Sequence, residues 1–365
     1  MPKNRLLLWM FLVVLSIVLA GCFQGEQTLE PIDVPEEVTV IDEEEGGVVD
    51  GEDGDANDGE DGTEDEELDI VESEETVLRE LYLLDASGMV VPQTLELPKT
   101  ESAAKQSLEY LVKDGPVTEL LPNGFQAVLP AGTEILGVNL DEEGTLTVDV
   151  SEDFKQYDVN DELKILQAMT YTLTQFDSVE RIKLWINGEL QSEMPVGGTP
   201  ISEGYSKSNG INIFANEKPN LQHSKVVTIF YPKSYHDQLY YVPVTQYVDV
   251  KEKDVYTSIV QTLLDGPAYE LGVLDVFNDY TALVNKPFIR DGVLQLVFNE
   301  DILKDSENAI IADEVMESLV RTLTAEEEVE AVDVKVENKA ELMNEAGTTY
   351  DKPVTTNDFN QLEKM

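Results

Sequence analysis

Val112-Lys113-Asp114-Gly115-Pro116 returns as Leu263-Leu264-Asp265-Gly266-Pro267, about 150 residues further along the chain. The copy is not isolated. Gly144-Thr145-Leu146-Thr147-Val148 returns as Gly292-Val293-Leu294-Gln295-Leu296, and Ser151-Glu152-Asp153-Phe154 as Asn299-Glu300-Asp301-Ile302. Thr172-Leu173-Thr174 returns as Thr322-Leu323-Thr324, and Gly198-Thr199 as Gly347-Thr348. Each match is short, but they share one order and nearly one offset. That is the mark of a structural module used twice.

The elements around the motif can be read outward from it. Leu81 to Leu84 and Val90 to Leu97 are rich in bulky and β-branched residues and predict two strands. A helix is expected to open at Lys99-Thr100, with Ala104, Leu108, Leu111 and Val112 on one apolar face. Asp114-Gly115-Pro116 ends it, because Gly suits the left-handed position after a helix and Pro cannot continue one. Asp265-Gly266-Pro267 does the same in the second copy, so both motifs are read as structural. Residues 134–140 and 144–150 predict a hairpin across Asp141-Glu142-Glu143-Gly144, with Leu146, Val148 and Val150 inward. A second helix is expected over Asp161 to Phe176, with Leu163, Leu166, Met169 and Leu173 on one face. A last strand places Ile182, Leu184 and Ile186 inward and closes at Asn187-Gly188.

The second copy predicts strands near 226–231 and 240–248, a helix near 254–264 and strands near 280–286 and 293–298, then a helix near 309–324 and a strand near 329–336. The expected class is α+β: two tandem ββαββαβ domains, each a small, mostly antiparallel sheet with two helices on one face. Their expected limits are 77–213 and 222–355, with 197–221 a linker or a strap over the first domain.

The chain before these domains has another character. Lys3 and Arg5 precede an apolar run from Leu6 to Leu19, too short to span a bilayer and suited to a signal peptide over residues 1–21. The run ends in Leu19-Ala20-Gly21-Cys22, which resembles the lipobox of bacterial lipoproteins. Leu19, Ala20 and Gly21 would be read by the signal peptidase. The Cys22 thiol would take a diacylglyceryl group and, with a further chain such as palmitate, hold the protein to a membrane. Cys22 is the single cysteine of the sequence, so no intrachain disulfide is possible.

Residues 22–76 contain no Lys or Arg and carry acids in runs, such as Asp42-Glu43-Glu44-Glu45. They predict a disordered acidic tether. With 74 acidic against 24 basic residues the chain has a formal charge of -50, which excludes nucleic acid as a partner. Asp53, Asp55, Asn57 and Glu64 fall at EF-hand spacing, but Asp58 stands where the turn needs Gly and no amphipathic helices flank the loop. A calcium site is therefore not expected there.

No catalytic constellation emerges. His223 and His236 have no counterparts in the first copy and too few ligands nearby for zinc. No nucleophile elbow, phosphate loop or metalloprotease motif is present. The pairs Glu152-Asp153 and Glu300-Asp301 recur just after a strand and are expected to turn the chain rather than cleave a glycoside. Trp9 falls in the signal peptide and Trp185 on a strand face; Tyr240-Tyr241, Tyr269 and Tyr280 are either an aromatic patch or half-buried strand residues. No metal, cofactor or enzymatic activity is expected.

The lipobox, the acidic tether and two tandem units with a Leu-x-Asp-Gly-Pro-like helix stop resemble the GerMN-domain lipoproteins of spore-forming Firmicutes. The resemblance implies a fold akin to the ring-building motifs of secretion systems and a role in sporulation and germination. It implies a place on the mother-cell membrane, facing the space between mother cell and forespore. It also implies partners among the proteins of the transenvelope channel complex that joins the two cells. The alternative is a surface lipoprotein binding peptidoglycan or another ligand in a cleft between its domains.

Overall fold

The computed structural model describes residues 75–214, 223–236, 238–250 and 254–360. Leu19, Ala20, Gly21 and Cys22, the acidic tether with Asp53 to Glu64, and Trp9 lie outside the described residues.

The first repeat opens with a hairpin, β1 (Thr76–Leu84) and β2 (Val90–Pro98). Helix α1 (Ala103–Glu109) follows. Strand β3 (Ile135–Leu140) then runs antiparallel to β4 (Thr145–Val150), which lies parallel to β5 (Arg181–Ile186). The connection from β4 to β5 carries α2 (Glu162–Leu173), and two short strands, β6 (Glu189–Leu190) and β7 (Tyr205–Ser206), add to β5. The second repeat gives β8 (Ser224–Tyr235), β9 (Gln238–Asp249), α3 (Val255–Leu264), β10 (Phe288–Arg290) and β11 (Val293–Phe298). A short pair, β12 (Leu303–Asp305) and β13 (Ile310–Ile311), precedes α4 (Asp313–Leu323) and β14 (Ala331–Val336), and α5 (Asn357–Asn360) comes last. Here too β10–β11 is antiparallel and β11–β14 parallel.

The α+β class and the duplication are as expected, and the layering is finer. Each opening hairpin forms its own two-stranded sheet, and the second helix of the repeat packs on it as well as on the main sheet. That position explains why most of α2 is buried rather than one stripe, and why Thr170 and Thr172 are wholly enclosed. The core residues of the central strands correspond across the repeats: Leu146, Val148 and Val150 in one, Leu294, Leu296 and Phe298 in the other, all without solvent exposure.

The threonines explain themselves in this arrangement. Tyr82 N–H donates to Thr172 Oγ1 at 2.9 Å, and Phe230 N–H donates to Thr322 Oγ1 at 3.0 Å. In both repeats a helix threonine takes up a backbone donor on the outer edge of the hairpin's first strand. Tyr82 and Phe230 face Pro92 and Pro243 across their ladders, so those prolines fall where no ladder donor is needed. Thr172→Val and Thr322→Val keep the shape but orphan the strand donor. Each is expected to cost about 1–3 kcal/mol in urea unfolding, whereas the exposed Thr118→Val should be nearly silent.

Several expectations need correction. The first helix is short, and residues 110–112 leave it as a turn. In the first motif the left-handed residue is Asp114 (φ 60), not Gly115, while in the second it is Gly266 (φ 77). Gly115 is needed for space instead: a Cβ there would lie 2.9 Å from the carbonyl oxygen of Val112. Pro116 then starts a 3-10 turn. Leu163 is 46% exposed, because the buried face of α2 is centred on Ile165, Leu166, Met169 and Leu173. Residues 280–286 form no ladder strand; only Leu283 bridges to Phe298, and β10 begins after Lys286-Pro287. Pro supplies no ladder donor, so pairing resumes beyond it.

Candidate functional site at the joint of the two repeats

The two hairpins meet at their tips. Asp85, at the end of β1, is 3% exposed. Its Oδ1 accepts from Ser87 N–H (2.9 Å), Ser87 Oγ (2.7 Å) and Met89 N–H (2.9 Å), which shapes the tip of hairpin one. Its Oδ2 crosses to the second repeat, accepting from Lys233 Nζ at 2.8 Å and Tyr240 Oη at 3.0 Å. Burial alone would raise the Asp85 pKa, but the hydrogen bonds from Lys233, Ser87 and Met89 outweigh it and hold the carboxyl below its ordinary value. Burial, with Asp85 beside it, pushes the Tyr240 phenol far up, so it remains a donor.

A side-chain amide rivets the hairpins together. Asn212 Oδ1 accepts from Val90 N–H at 2.9 Å, and its Nδ2 donates to Val90 O (2.7 Å) and Pro243 O (2.8 Å). Beside it, Ile211 and Phe214 pair with Thr245 on the outer edge of β9. The segment after β7 therefore straps the repeats together rather than linking them loosely. Apolar contact completes the joint: Phe125 stands edge-on to Tyr240 with centroids 5.1 Å apart.

Beside the joint lies a cleft of about 1520 Å³. Corresponding residues line both walls: Glu80 and Thr228, Tyr82 and Phe230, Tyr171 and Arg321, Asp177 and Glu327. Arg321 is the most confined of its charges. Nε donates to Glu317 at 2.6 Å, and the guanidinium lies 5.2 Å over the Tyr241 ring. Burial opposes its charge, but Glu317 and Glu80 outweigh that and raise its pKa. Lys225 pairs with Glu326, and Tyr256 Oη donates to Glu328 at 3.2 Å. The walls are thus polar, aromatic and largely self-paired, with acids in excess.

The residues singled out from sequence are not gathered here. His223 and His236 flank the twelve residues of β8, so they stand roughly 40 Å apart and cannot share an ion. Among the described residues no group of three or more His, Cys, Asp or Glu could hold a metal. Glu152-Asp153 and Glu300-Asp301 each open a 3-10 turn in the same place of their repeats, with Glu152 paired to Lys155 and Glu300 to Lys339. The tyrosines divide: Tyr240 and Tyr241 are each 6% exposed, whereas Tyr269 and Tyr280 sit on loops at 97% and 77%. Trp185 is half-buried on β5. Among the described residues no helix is long and apolar enough to cross a membrane.

Asp85, Lys233 and Asn212 escaped the sequence reading. Asp85 and Lys233 each stand three residues past the strand donor that Thr172 or Thr322 receives, so they occupy one position in the two repeats with opposite charges. Aligning the copies through the hairpins would have exposed that pair.

Known proteins agree with this architecture. The sequence model of the Germane family, described as "Sporulation and spore germination", matches residues 80–192 and 228–341. The spore germination protein GerM of Bacillus subtilis (strain 168) is 44% identical over 344 residues, 93% of each chain. The solved tandem GerMN domains of that protein share 48% identity, superpose with a TM-score of 0.71, and cover 77% of this chain and 98% of theirs. The two repeats are accordingly GerMN domains, and the chain belongs to the Germane family of sporulation and spore germination proteins.

Proposed function

We propose that this chain is a non-enzymatic, lipid-anchored scaffold of the spore-forming envelope. Acylated Cys22 would tie it to the outer face of the mother-cell membrane. Its two GerMN domains would support the transenvelope complex between mother cell and forespore, whose proteins would be its partners. The observation that carries the reading is the joint. Asp85, Lys233, Tyr240 and Asn212 lock two copies of one small domain into a single body, which is what a spacer or platform needs and catalysis does not. Family membership supports the developmental stage.

Deleting the protein is expected to lower heat-resistant spore yield. Cys22→Ala is expected to move it from the membrane fraction to the soluble one. Capture of the tagged chain during engulfment should recover membrane proteins of both cells. Normal sporulation in the deletion strain, with no such recovery, would overturn the reading.

The cleft favours a second reading, a site for a polar ligand such as a wall glycan, because it is roomy and mixes aromatic with polar walls. Titration with soluble peptidoglycan fragments tests it. Saturable binding that weakens in Tyr82→Ala and Phe230→Ala would support it, and no binding would remove it.

A further inference from the structure

The joint has a two-fold plan that only one half completes. Each repeat places a glycine turn against its own hairpin. Gln126 N–H donates to Leu84 O, and Leu274 N–H donates to Pro232 O, both at 2.8 Å. Gly124-Phe125 and Gly272-Val273 are therefore corresponding turns, and both glycines are left-handed (φ 87 and 60).

The hairpins differ in reach. Past the threonine-bonded residue, β1 runs from Tyr82 to Leu84, while β8 runs from Phe230 to Tyr235. The longer hairpin carries its tyrosines over the first turn: a Cβ on Gly124 would clash with the Tyr235 ring, and Phe125 is buried against Tyr240. The shorter hairpin ends in Asp85-Ala86-Ser87-Gly88-Met89 and has no ring to return the contact. Around Gly272 a Cβ would meet nothing within 4 Å. Leu274 is 41% exposed, and Tyr269, whose carbonyl accepts from Gly272 N–H, is 97% exposed.

We propose that the turn Gly272-Val273-Leu274, with Tyr269, is a docking surface for an aromatic-tipped β-hairpin of a partner protein. The occupant's chemistry is set by the filled half of the joint: a ring packs closely against a left-handed glycine that offers no side chain, and a second ring meets the next apolar residue. A second copy of this chain is not the occupant. Its aromatic tip is already enclosed, with Tyr240 6% exposed on its own Asp85. Glu270 and Asp275 flank the turn, so the tip should carry a basic residue, as hairpin two carries Lys233. The surface goes beyond the scaffold reading, since binding in solution does not depend on a sporulation phenotype.

The probe is a cyclised peptide of this chain's own hairpin, Tyr231 to Val242, titrated into the isotope-labelled full chain carrying Cys22→Ala. Saturable shifts at the amides of Gly272, Val273 and Leu274 are expected. Leu274→Asp should weaken binding by about tenfold or more, and a peptide with its two tip tyrosines changed to Ala should not bind. If Leu274→Asp fails to fold, Tyr269→Ala, altered at a fully solvated ring, replaces it. No saturable shift up to about 1 mM, shifts confined to other surfaces, or equal affinity for the variants would overturn the proposal.

Discussion

Asp85→Ala is expected to lower the unfolding free energy by about 3–5 kcal/mol, the largest single effect in the joint. The change removes a carboxylate that is 1% exposed and leaves Lys233, itself 13% exposed, with no carboxylate at its buried ammonium. It also strips Tyr240 Oη of its acceptor and frees the tip of hairpin one. The double change Asp85→Leu with Lys233→Leu should recover the part of the loss that comes from the unpaired Lys233 ammonium, because a buried pair can be exchanged for apolar packing at little net cost, while the donors of Tyr240 and the hairpin tip stay unanswered. An equal loss in single and double variants would mean that the pair itself is not what holds the tips. The pH dependence has a definite sign. The Asp85 carboxyl lies below its ordinary 3.8 in the folded state. Its contribution is therefore complete above that value and is lost as pH falls through the lowered folded value. The variant should lose this part of the acid dependence, keeping the part that other carboxylates such as Glu162 supply.

The parts of the fold that were legible in sequence are those set by local periodicity. Alternation gave the inward faces of β4 and β5, because a strand of one buried face has period two whatever it packs against. The offset of the copies gave the duplication, and the structure shows why those residues recur: Thr172 and Thr322 each hold a hairpin, and Phe154 and Ile302 each plug the core below a central strand. What was not legible depends on three dimensions. Leu163 fits a helical stripe, yet among the described residues nothing packs over it far enough to bury it. The left-handed residue of the Asp-Gly-Pro motif shifts from Gly266 to Asp114 because the chain after α1 leaves the helix earlier than the chain after α3. The joint was least legible of all. Asp85 sits in an ordinary turn sequence, and only the approach of a second hairpin makes it a buried ion-pair partner. The anchor and tether, which the sequence reads most directly, fall outside the described residues.

Glu162→Ala is expected to open the strap of the first repeat at a cost on the order of 3 kcal/mol, since hydrogen bonds to a charged acceptor are worth about 1.5–3 kcal/mol each. Glu162 is 2% exposed at the start of α2. It accepts from Thr199 N–H at 3.0 Å, Tyr157 Oη at 2.9 Å, Gly197 N–H and the Thr199 hydroxyl. Gly197 has to be glycine for this, as a Cβ would lie 2.6 Å from Glu162 Oε1. The second repeat secures its matching loop differently: Thr348 N–H donates to Asn344 Oδ1 at 2.7 Å, and Asp313 accepts from Glu345 N–H at 3.2 Å. The two acids titrate in opposite senses. Burial would raise Glu162, but its donors outweigh this and lower it below 4.5, so its support for the fold is lost as pH falls through the lowered value. Burial raises Asp313, with Glu345 and Glu314 adding to the effect, so the fold gains there when that carboxyl is protonated. Acid should therefore loosen the first strap before the second. Hydrogen exchange at Gly197 and Thr199 is expected to rise, relative to Thr348, as pH drops below about 4.5, and Glu162→Ala should show that faster exchange already at neutral pH. Protection of Thr199 that stays level with Thr348 under both conditions would show that the carboxylate does not hold the strap.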